Sequence, residues 1–330
     1  MVLKHITSIH DVNAKEINEY FKQTKKLKDG LKRGQRPSLL ANKTLAMVFE
    51  RPSLRTRVSF ETGMTQLGGH AMMLKAYPKE SADIIFGEDV RDQAKVLSSM
   101  ADMIMARTYS HSTIEKLAKY ATVPVLNGMS DEAHPLQILT DLYTILENKK
   151  KLNGLKLAYM GEPSGNTAQD MAMGCAKMGV NFTLGCPDYD DPDIKSKLPG
   201  TFGYMQDKYW NWAKEDAAKT GTELVIEHNP TEAVKNADVI YTDSWIAYDV
   251  PEEKARETDI KSVFESYQVN KELIKNAKKD VIVMHCLPAY KGNEITADIF
   301  DDPHCRIYQQ AENRMHVQKG VMVTLIAKSR

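Results

Sequence analysis

Two rhythms of apolar and polar residues run along this chain. Short apolar runs bounded by turn residues recur at 45–49, 71–74, 103–106 and 123–126, and they read as buried strands. Between them apolar positions return at helical spacing. A first helix is predicted over 12–33, ending near Gly30 or Gly34. A second opens at Arg55 and runs to about Leu67, where Gly68-Gly69 stops it. Further helices are predicted over 90–100, over 111–120, and from His134-Pro135 to Glu147, since proline suits a first helical turn. Residues 75–89 read as a polar, proline-containing loop.

Lys149-Lys150-Lys151 and Asn153-Gly154 interrupt this pattern, and it then restarts. Strands are predicted at 155–160, 181–184, 224–227, 239–242 and 281–285, with helices over 167–178 and 203–219. Residues 246–267 form a long charged connection, of the kind that serves as a lid or stays disordered. A closing helix is predicted over 316–327, directly after Glu312-Asn313-Arg314. Strand–helix alternation, twice over, implies two Rossmann-like α/β domains, each with a mainly parallel central sheet flanked by helices. In such sheets ligands sit beyond the C-terminal ends of the strands. Arg55, Arg107, His134, Asn166, Asp243 and Cys286 all fall just after a predicted strand or at the next helix start. Their convergence predicts one cleft between the domains.

Composition narrows the function class. Lysine plus arginine equals aspartate plus glutamate, 44 against 44, which argues against nucleic acid or an acidic membrane as partner. No apolar run approaches the ~20 residues that span a bilayer, and the N-terminus lacks the apolar core of a secretory signal. Cys175, Cys186, Cys286 and Cys305 are scattered, without a CxxC pair. The first two read as core thiols. The pattern suits a cytoplasmic enzyme without disulfides.

The richest chemistry lies in Phe49-Glu50-Arg51-Pro52-Ser53-Leu54-Arg55-Thr56-Arg57. Two hydroxyls and two guanidiniums open a helix whose free N–H groups and dipole favour an anion. The alternative is an N-cap serine with two solvated arginines. His134-Pro135-Leu136-Gln137 opens another helix, with His134 and Gln137 one turn apart and able to donate to a carbonyl. Asp243 at a strand end is either a turn cap or the acceptor of an ammonium. In His285-Cys286-Leu287-Pro288, neighbours on an extended chain point oppositely, which argues against a thiolate–imidazole couple. No zinc-like spacing accompanies them, so Cys286 is read as lining a substrate. Arg314 is either one more guanidinium for the anion or a surface residue.

Together these motifs, in this order and at these spacings, closely resemble the carbamoyltransferase (transcarbamylase) family, over about residues 3–327. His285-Cys286-Leu287-Pro288 is similar to its ornithine branch. The resemblance implies a carbamoyl phosphate domain at 1–148, closed by a C-terminal helix at 316–330, and an amine-substrate domain at 149–315. It implies that Ser53, Leu54, Arg55, Thr56 and Arg57 hold the phosphate and that Arg107 bridges phosphate and carbonyl. His134 and Gln137 would contact the carbamoyl group, Cys286 and Leu287 both substrates, and Arg314 the carbonyl side. Asn166, Asp243 and the loop at Ala247 and Tyr248 would hold ornithine. Arg55, Arg107, His134 and Cys286 would be catalytic. No metal or organic cofactor is implied, and the assembly would be a homotrimer or a multiple of trimers.

The chain departs from the ornithine branch at Ala247-Tyr248-Asp249, where those enzymes usually carry Ser-Met-Gly. It departs again at Gly161-Glu162-Pro163-Ser164-Gly165-Asn166, and residues 75–89 contain no glutamine. Putrescine or a modified ornithine is therefore the alternative acceptor. Putrescine enzymes typically carry a C-terminal extension helix, though, and this chain stops at Arg330, which keeps ornithine ahead. An alternative of another class is a non-catalytic regulatory relative that binds carbamoyl phosphate; the intact Arg55, Arg107, His134 and Cys286 argue against it.

Overall fold

A computed structural model of the chain describes residues 4–76, 84–85, 87–246 and 257–328. It divides into two compact units, Met1–Tyr143 with Glu312–Arg330, and Thr144–Ala311.

The first unit carries, in chain order, α1 (Ala14–Lys32), β1 (Thr44–Phe49), α2 (Leu54–Gln66), β2 (His70–Lys75), β3 (Ile84–Ile85), β4 (Glu88–Asp89), α3 (Val90–Met100), β5 (Met103–Arg107), α4 (His111–Tyr120) and β6 (Val125–Met129). Helix α5 (Pro135–Lys149) follows. The second unit carries β7 (Lys156–Met160), α6 (Asn166–Lys177), β8 (Asn181–Gly185), α7 (Pro192–Lys197), α8 (Asp207–Thr220), β9 (Leu224–Glu227), α9 (Pro230–Val234), β10 (Val239–Thr242), α10 (Glu257–Phe264), α11 (Lys271–Ile274) and β11 (Ile282–His285). The last helix is α12 (Ile307–Lys328).

Both main sheets are parallel, ordered β2-β1-β5-β6 and β11-β10-β7-β8-β9. Their inner strands are near-continuous apolar runs because helices cover both faces. Val48, Ile104, Ala106, Ile114, Leu117 and Val125 are fully buried together in the first unit. Each large aliphatic among them contributes about 1.5–3 kcal/mol by leaving water. Local signals agree with this packing. Asn13 and Glu16 form a reciprocal cap at the start of α1, and Ile17, Tyr20, Phe21 and Leu27 give that helix one buried face. Cys175 and Cys186 are buried in the core of the second unit, as the burial habit of cysteine suggested.

Four expectations need correction. The final helix begins at Ile307, not at His316, so Glu312-Asn313-Arg314 lies inside it. The predicted loop 75–89 contains the short antiparallel pair β3–β4. The long connection is helical over Glu257–Phe264; Ala247, Tyr248 and Asp249 lie outside the described residues. The strand predicted at 123–126 sits later, at Val125–Met129, because the ladder continues through Asn127 and Gly128, both poor strand formers.

The strand ends position the chemistry. In the first sheet Phe49 at the end of β1 pairs with Arg107 at the end of β5. In the second, Thr242 pairs with both Met160 and His285. Asp243, Gly161 and Cys286 therefore leave the same edge of one sheet.

Candidate active site

In the first unit, α2 begins where Pro52 ends the chain's extended run. Ser53 is its N-cap and accepts from the Thr56 N–H at 3.3 Å, while its hydroxyl donates to Thr56 Oγ1 at 3.0 Å. A serine cap of this kind stabilises a helix by about 1 kcal/mol. Thr56 is fully buried. Arg55, beside it, is half-buried.

Arg107 reaches its place through an irregularity in the sheet. The register between β5 and β6 slips at Ala106/Arg107, so that Arg107 pairs with Met129. At Gly128, passed over by the slip, a Cβ would lie 2.5 Å from Met105 Sδ and 3.2 Å from the Ala106 carbonyl, so a side chain there would have to displace Met105. The Asn127 side chain holds the loop, donating to the Thr7 and Ala133 carbonyls at 2.8 and 3.3 Å and accepting from Met129 N–H at 2.9 Å. The Arg107 guanidinium is buried and contacts the Gly128 carbonyl at 3.4 Å.

The same loop delivers His134 to the start of α5, where it is buried. Its pKa is held well below the ordinary value, first by burial and then by the Arg314, Arg107 and Arg55 guanidiniums. Those three cations are thus close enough to be felt at one imidazole. That shift favours the neutral imidazole at physiological pH, a form that can donate a hydrogen bond without carrying charge.

Arg314, which sequence reasoning left divided between the surface and the anion, is 2% exposed. It projects from α12 and donates to Thr56 Oγ1 at 3.2 Å and to Gln137 Oε1. Gln137 is itself fully buried and donates to Asp141 at 2.7 Å. The structure therefore brings Ser53, Arg55, Thr56, Arg107, His134, Gln137 and Arg314 together. It leaves two of the phosphate candidates aside. Arg57 is exposed and pairs with Glu61 one turn along at 2.9 Å, and the Leu54 side chain is 75% exposed.

In the second unit the group is polar, shallower and of opposite sign. Asp243 follows β10, and its Oδ1 accepts from the Cys286 thiol at 3.1 Å and from the Ser244 N–H at 2.8 Å. Asn166 is the first residue of α6. Asp243, Cys286 and Asn166 are all partly exposed. The loop before Asn166 is held by Glu162, a residue the sequence reading passed over, whose carboxylate accepts from Ser164 and Gly165 N–H at 2.8 and 2.9 Å. Gly161 has φ +121°, and a Cβ there would meet Trp245 Nε1 at 2.7 Å. That indole is buried and stacks on Phe264 at 5.6 Å. The Tyr159 hydroxyl is pushed well above its usual pKa, by burial and then by Asp243, Glu162 and Cys286.

One ligating atom each from Asp243, His285 and Cys286 lies within 4.8 Å of the others. The extended-chain argument thus overstated the separation of His285 and Cys286. The reading against a thiolate–imidazole couple agrees with the hydrogen bonds, since the Cys286 thiol donates to Asp243. Both imidazole nitrogens are also engaged. Nδ1 accepts from the Leu287 N–H at 2.8 Å, so the proton sits on Nε2, which donates to the fully buried Glu294 at 3.1 Å. Neither nitrogen is open to a metal ion in this arrangement. His285 and Glu294 shape the turn that carries Cys286 and Leu287, and Glu294 also accepts from the Tyr290 N–H at 2.6 Å.

Comparison with known proteins now decides the family. A family model described as the aspartate/ornithine carbamoyltransferase carbamoyl-P binding domain matches residues 4–147, and one described as the Asp/Orn binding domain matches 153–325. The chain belongs to the aspartate/ornithine carbamoyltransferase family. Within that carbamoyltransferase family it is 41% identical over 323 residues to an ornithine carbamoyltransferase of Thermococcus kodakarensis, covering 98% of this chain and 96% of that one. It is 44% identical over 324 residues to one of Halalkalibacterium halodurans, covering 98% and 95%. The solved ornithine carbamoyltransferase of Pyrococcus furiosus superposes with a TM-score of 0.87 at 40% identity, over 97% of this chain and 96% of that one. A carbamoyltransferase of this family is an enzyme of the two-sheet α/β kind described above.

Proposed function

We propose that this chain transfers the carbamoyl group of carbamoyl phosphate to the δ-amine of L-ornithine, giving citrulline and phosphate. The observation that carries the reading is the gathering of Arg55, Arg107 and Arg314 around a neutral, buried His134, in a chain 40–44% identical to proteins named ornithine carbamoyltransferase. Three permanent cations suit a phosphate dianion, and the neutral imidazole and Gln137 suit an uncharged carbamoyl group. In this reading Ser53, Thr56 and the N-terminus of α2 hold the phosphate with Arg55, and Leu54 contributes through its backbone. Arg107 spans phosphate and carbonyl. Asn166, Asp243, Cys286 and Leu287 receive ornithine, Asp243 its ammonium. The carbamoyl phosphate part is thus built on residues 1–148 with the last helix, and the ornithine part on 149–315.

The chemistry follows from charge. The neutral δ-amine attacks the carbamoyl carbon, and negative charge grows on the carbonyl oxygen. Donors already fixed toward that oxygen stabilise it without reorganisation, which is commonly the largest single term in such reactions. In this reading Arg107 and His134 are those donors. The phosphate leaves as an anion among the guanidiniums, and one of its oxygens can take the amine proton, so no separate general base is required. Holding the two reactants in line contributes further, up to about 7–11 kcal/mol in favourable systems.

The protein is read as cytoplasmic from its cysteines: Cys175, Cys186, Cys286 and Cys305 are all free thiols, the usage of a reducing compartment. No helix among the described residues is long and apolar enough to cross a membrane. The protein is read as a homotrimer or a multiple of trimers, as the family resemblance implies. The reading is tested by phosphate release from carbamoyl phosphate with ornithine, putrescine, N-acetylornithine and aspartate supplied separately. Ornithine should give the fastest turnover; faster turnover with another amine overturns the assignment of the acceptor.

A further inference from the structure

Asp141 lies fully buried on α5, one helical turn beyond Gln137. Buried aspartate inside a helix is costly: the residue is a poor helix former, and its charge loses water. Its Oδ1 accepts from Gln137 Nε2 at 2.7 Å, and Gln137 Oε1 accepts from Arg314. Arg314 in turn donates to Thr56 Oγ1 at 3.2 Å, and Thr56 is tied to Ser53 at 3.0 Å. The four residues from Asp141 to Thr56 are each at most 2% exposed. Donor and acceptor chemistry gives this chain one direction. A carboxylate can only accept and a guanidinium can only donate, so the Gln137 amide must put its nitrogen toward Asp141 and its oxygen toward Arg314. An amide free to flip would present N–H to N–H, and the guanidinium would lose this acceptor.

We infer that Asp141 is a positioning residue, which locks the Gln137 amide and through it aims the Arg314 guanidinium and the Thr56 hydroxyl at the bound anion. It touches no substrate itself. It also supplies the negative charge that balances a buried arginine, relayed through the dipole of the amide. The inference deepens the reading above, since it takes Arg314 and Thr56 as ligands of carbamoyl phosphate.

The test compares the single variant Asp141→Asn with a double variant that combines Asp141→Asn and Gln137→Glu. In the double variant the carboxylate and the amide exchange places. The amide now at position 141 can donate to the carboxylate now at position 137, and that carboxylate accepts from Arg314. The total charge and the direction of the hydrogen bonds are kept. Steady-state kinetics with carbamoyl phosphate varied, and calorimetric binding of inorganic phosphate, are the two readouts. Asp141→Asn should lower kcat/KM for carbamoyl phosphate, and the affinity for inorganic phosphate, by about tenfold or more, the loss typical of a disrupted hydrogen bond to a charged group. The KM for ornithine should stay within about twofold. The double variant should recover inorganic phosphate affinity to within about threefold of the parent protein. Should Asp141→Asn fail to fold, the double variant alone decides, because it retains the charge: affinity reduced more than about tenfold overturns the inference. Parent-like behaviour of Asp141→Asn, or equal impairment of both variants, also overturns it. A parent protein that binds phosphate, and loses that binding in Asp141→Asn, but carbamoylates no amine would sink the functional reading and leave the role of Asp141 standing.

Discussion

The two polar groups of this molecule are built by different means. The group in the first unit draws on α2, β5, α5 and α12, and three of its side chains are deeply buried, Arg107 7% exposed, His134 5% and Arg314 2%, while Ser53 and Arg55 at the start of α2 are partly exposed. Each is fixed by a neighbour on another element or by burial among the others. The group in the second unit sits on the ends of β10 and β11 and the start of α6, and Asn166, Asp243 and Cys286 are all partly exposed. The first concentrates fixed positive charge; the second offers a carboxylate, an amide and a thiol. On the function proposed above, the difference teaches that the anion site is preorganised, with much of its desolvation already met in folding. On the same proposal the amine site lies at the C-terminal ends of β10 and β11, partly exposed and open to substitution in its surroundings.

That contrast can be broken most sharply at Arg107. Arg107→Ala should lower kcat by about 10²–10³-fold, as loss of a preorganised oxyanion donor does elsewhere. Steady-state kinetics with both substrates varied checks it, and a change confined to the KM of either substrate would place Arg107 outside the reacting centre. Next in size is Asp243→Asn. It should raise KM for ornithine by about 10–100-fold while leaving KM for carbamoyl phosphate within about twofold, since it removes a charge that serves only the amine. Equal effects on both substrates would dissolve the distinction between the groups.

The smallest effect concerns pH. His134 has its folded pKa depressed well below 6.5 by burial and by Arg314, Arg107 and Arg55. The unfolded chain therefore binds the extra proton first as pH falls. The stability that goes with a neutral His134 is fully present above about 6.5 and is lost progressively below it, toward the folded pKa. The melting-temperature gap between the parent protein and His134→Gln should narrow as pH drops from 7 to 5. A gap that widens would mean that His134 is cationic in the native protein.

Much of the scaffold was legible because the strands of these parallel sheets are short apolar runs bounded by turn residues. The strands at Leu224–Glu227 and Val239–Thr242 were placed to the residue. Arg55, Arg107 and His134 stood out because strand ends and helix starts are where such sheets carry ligands. The start of α12 was missed for a definite reason. Gln310, Asn313, Arg314 and Gln318 are buried on that helix, so its hidden face is polar and breaks the apolar period. The same polarity concealed Arg314 inside the fold. Asp141 and Glu162 gave no signal, since an aspartate in a helix and a glutamate in a turn are ordinary until their partners are known. The slip at Ala106/Arg107 could not be read from composition either: it is written in Gly128 and Asn127, residues that locally argue against a strand.

The first unit is discontinuous along the chain, Met1–Tyr143 completed by Glu312–Arg330. For a polypeptide leaving the ribosome this means that Arg314 emerges long after the Thr56 and Gln137 side chains it joins. At roughly 5–20 residues per second, on the order of ten seconds separates the appearance of Gln137 from that of Arg314. During that interval the Gln137 amide and the Thr56 hydroxyl wait for the donor that will join them. A nascent chain, or a fragment cut anywhere within Thr144–Ala311, holds the other donors but not that guanidinium.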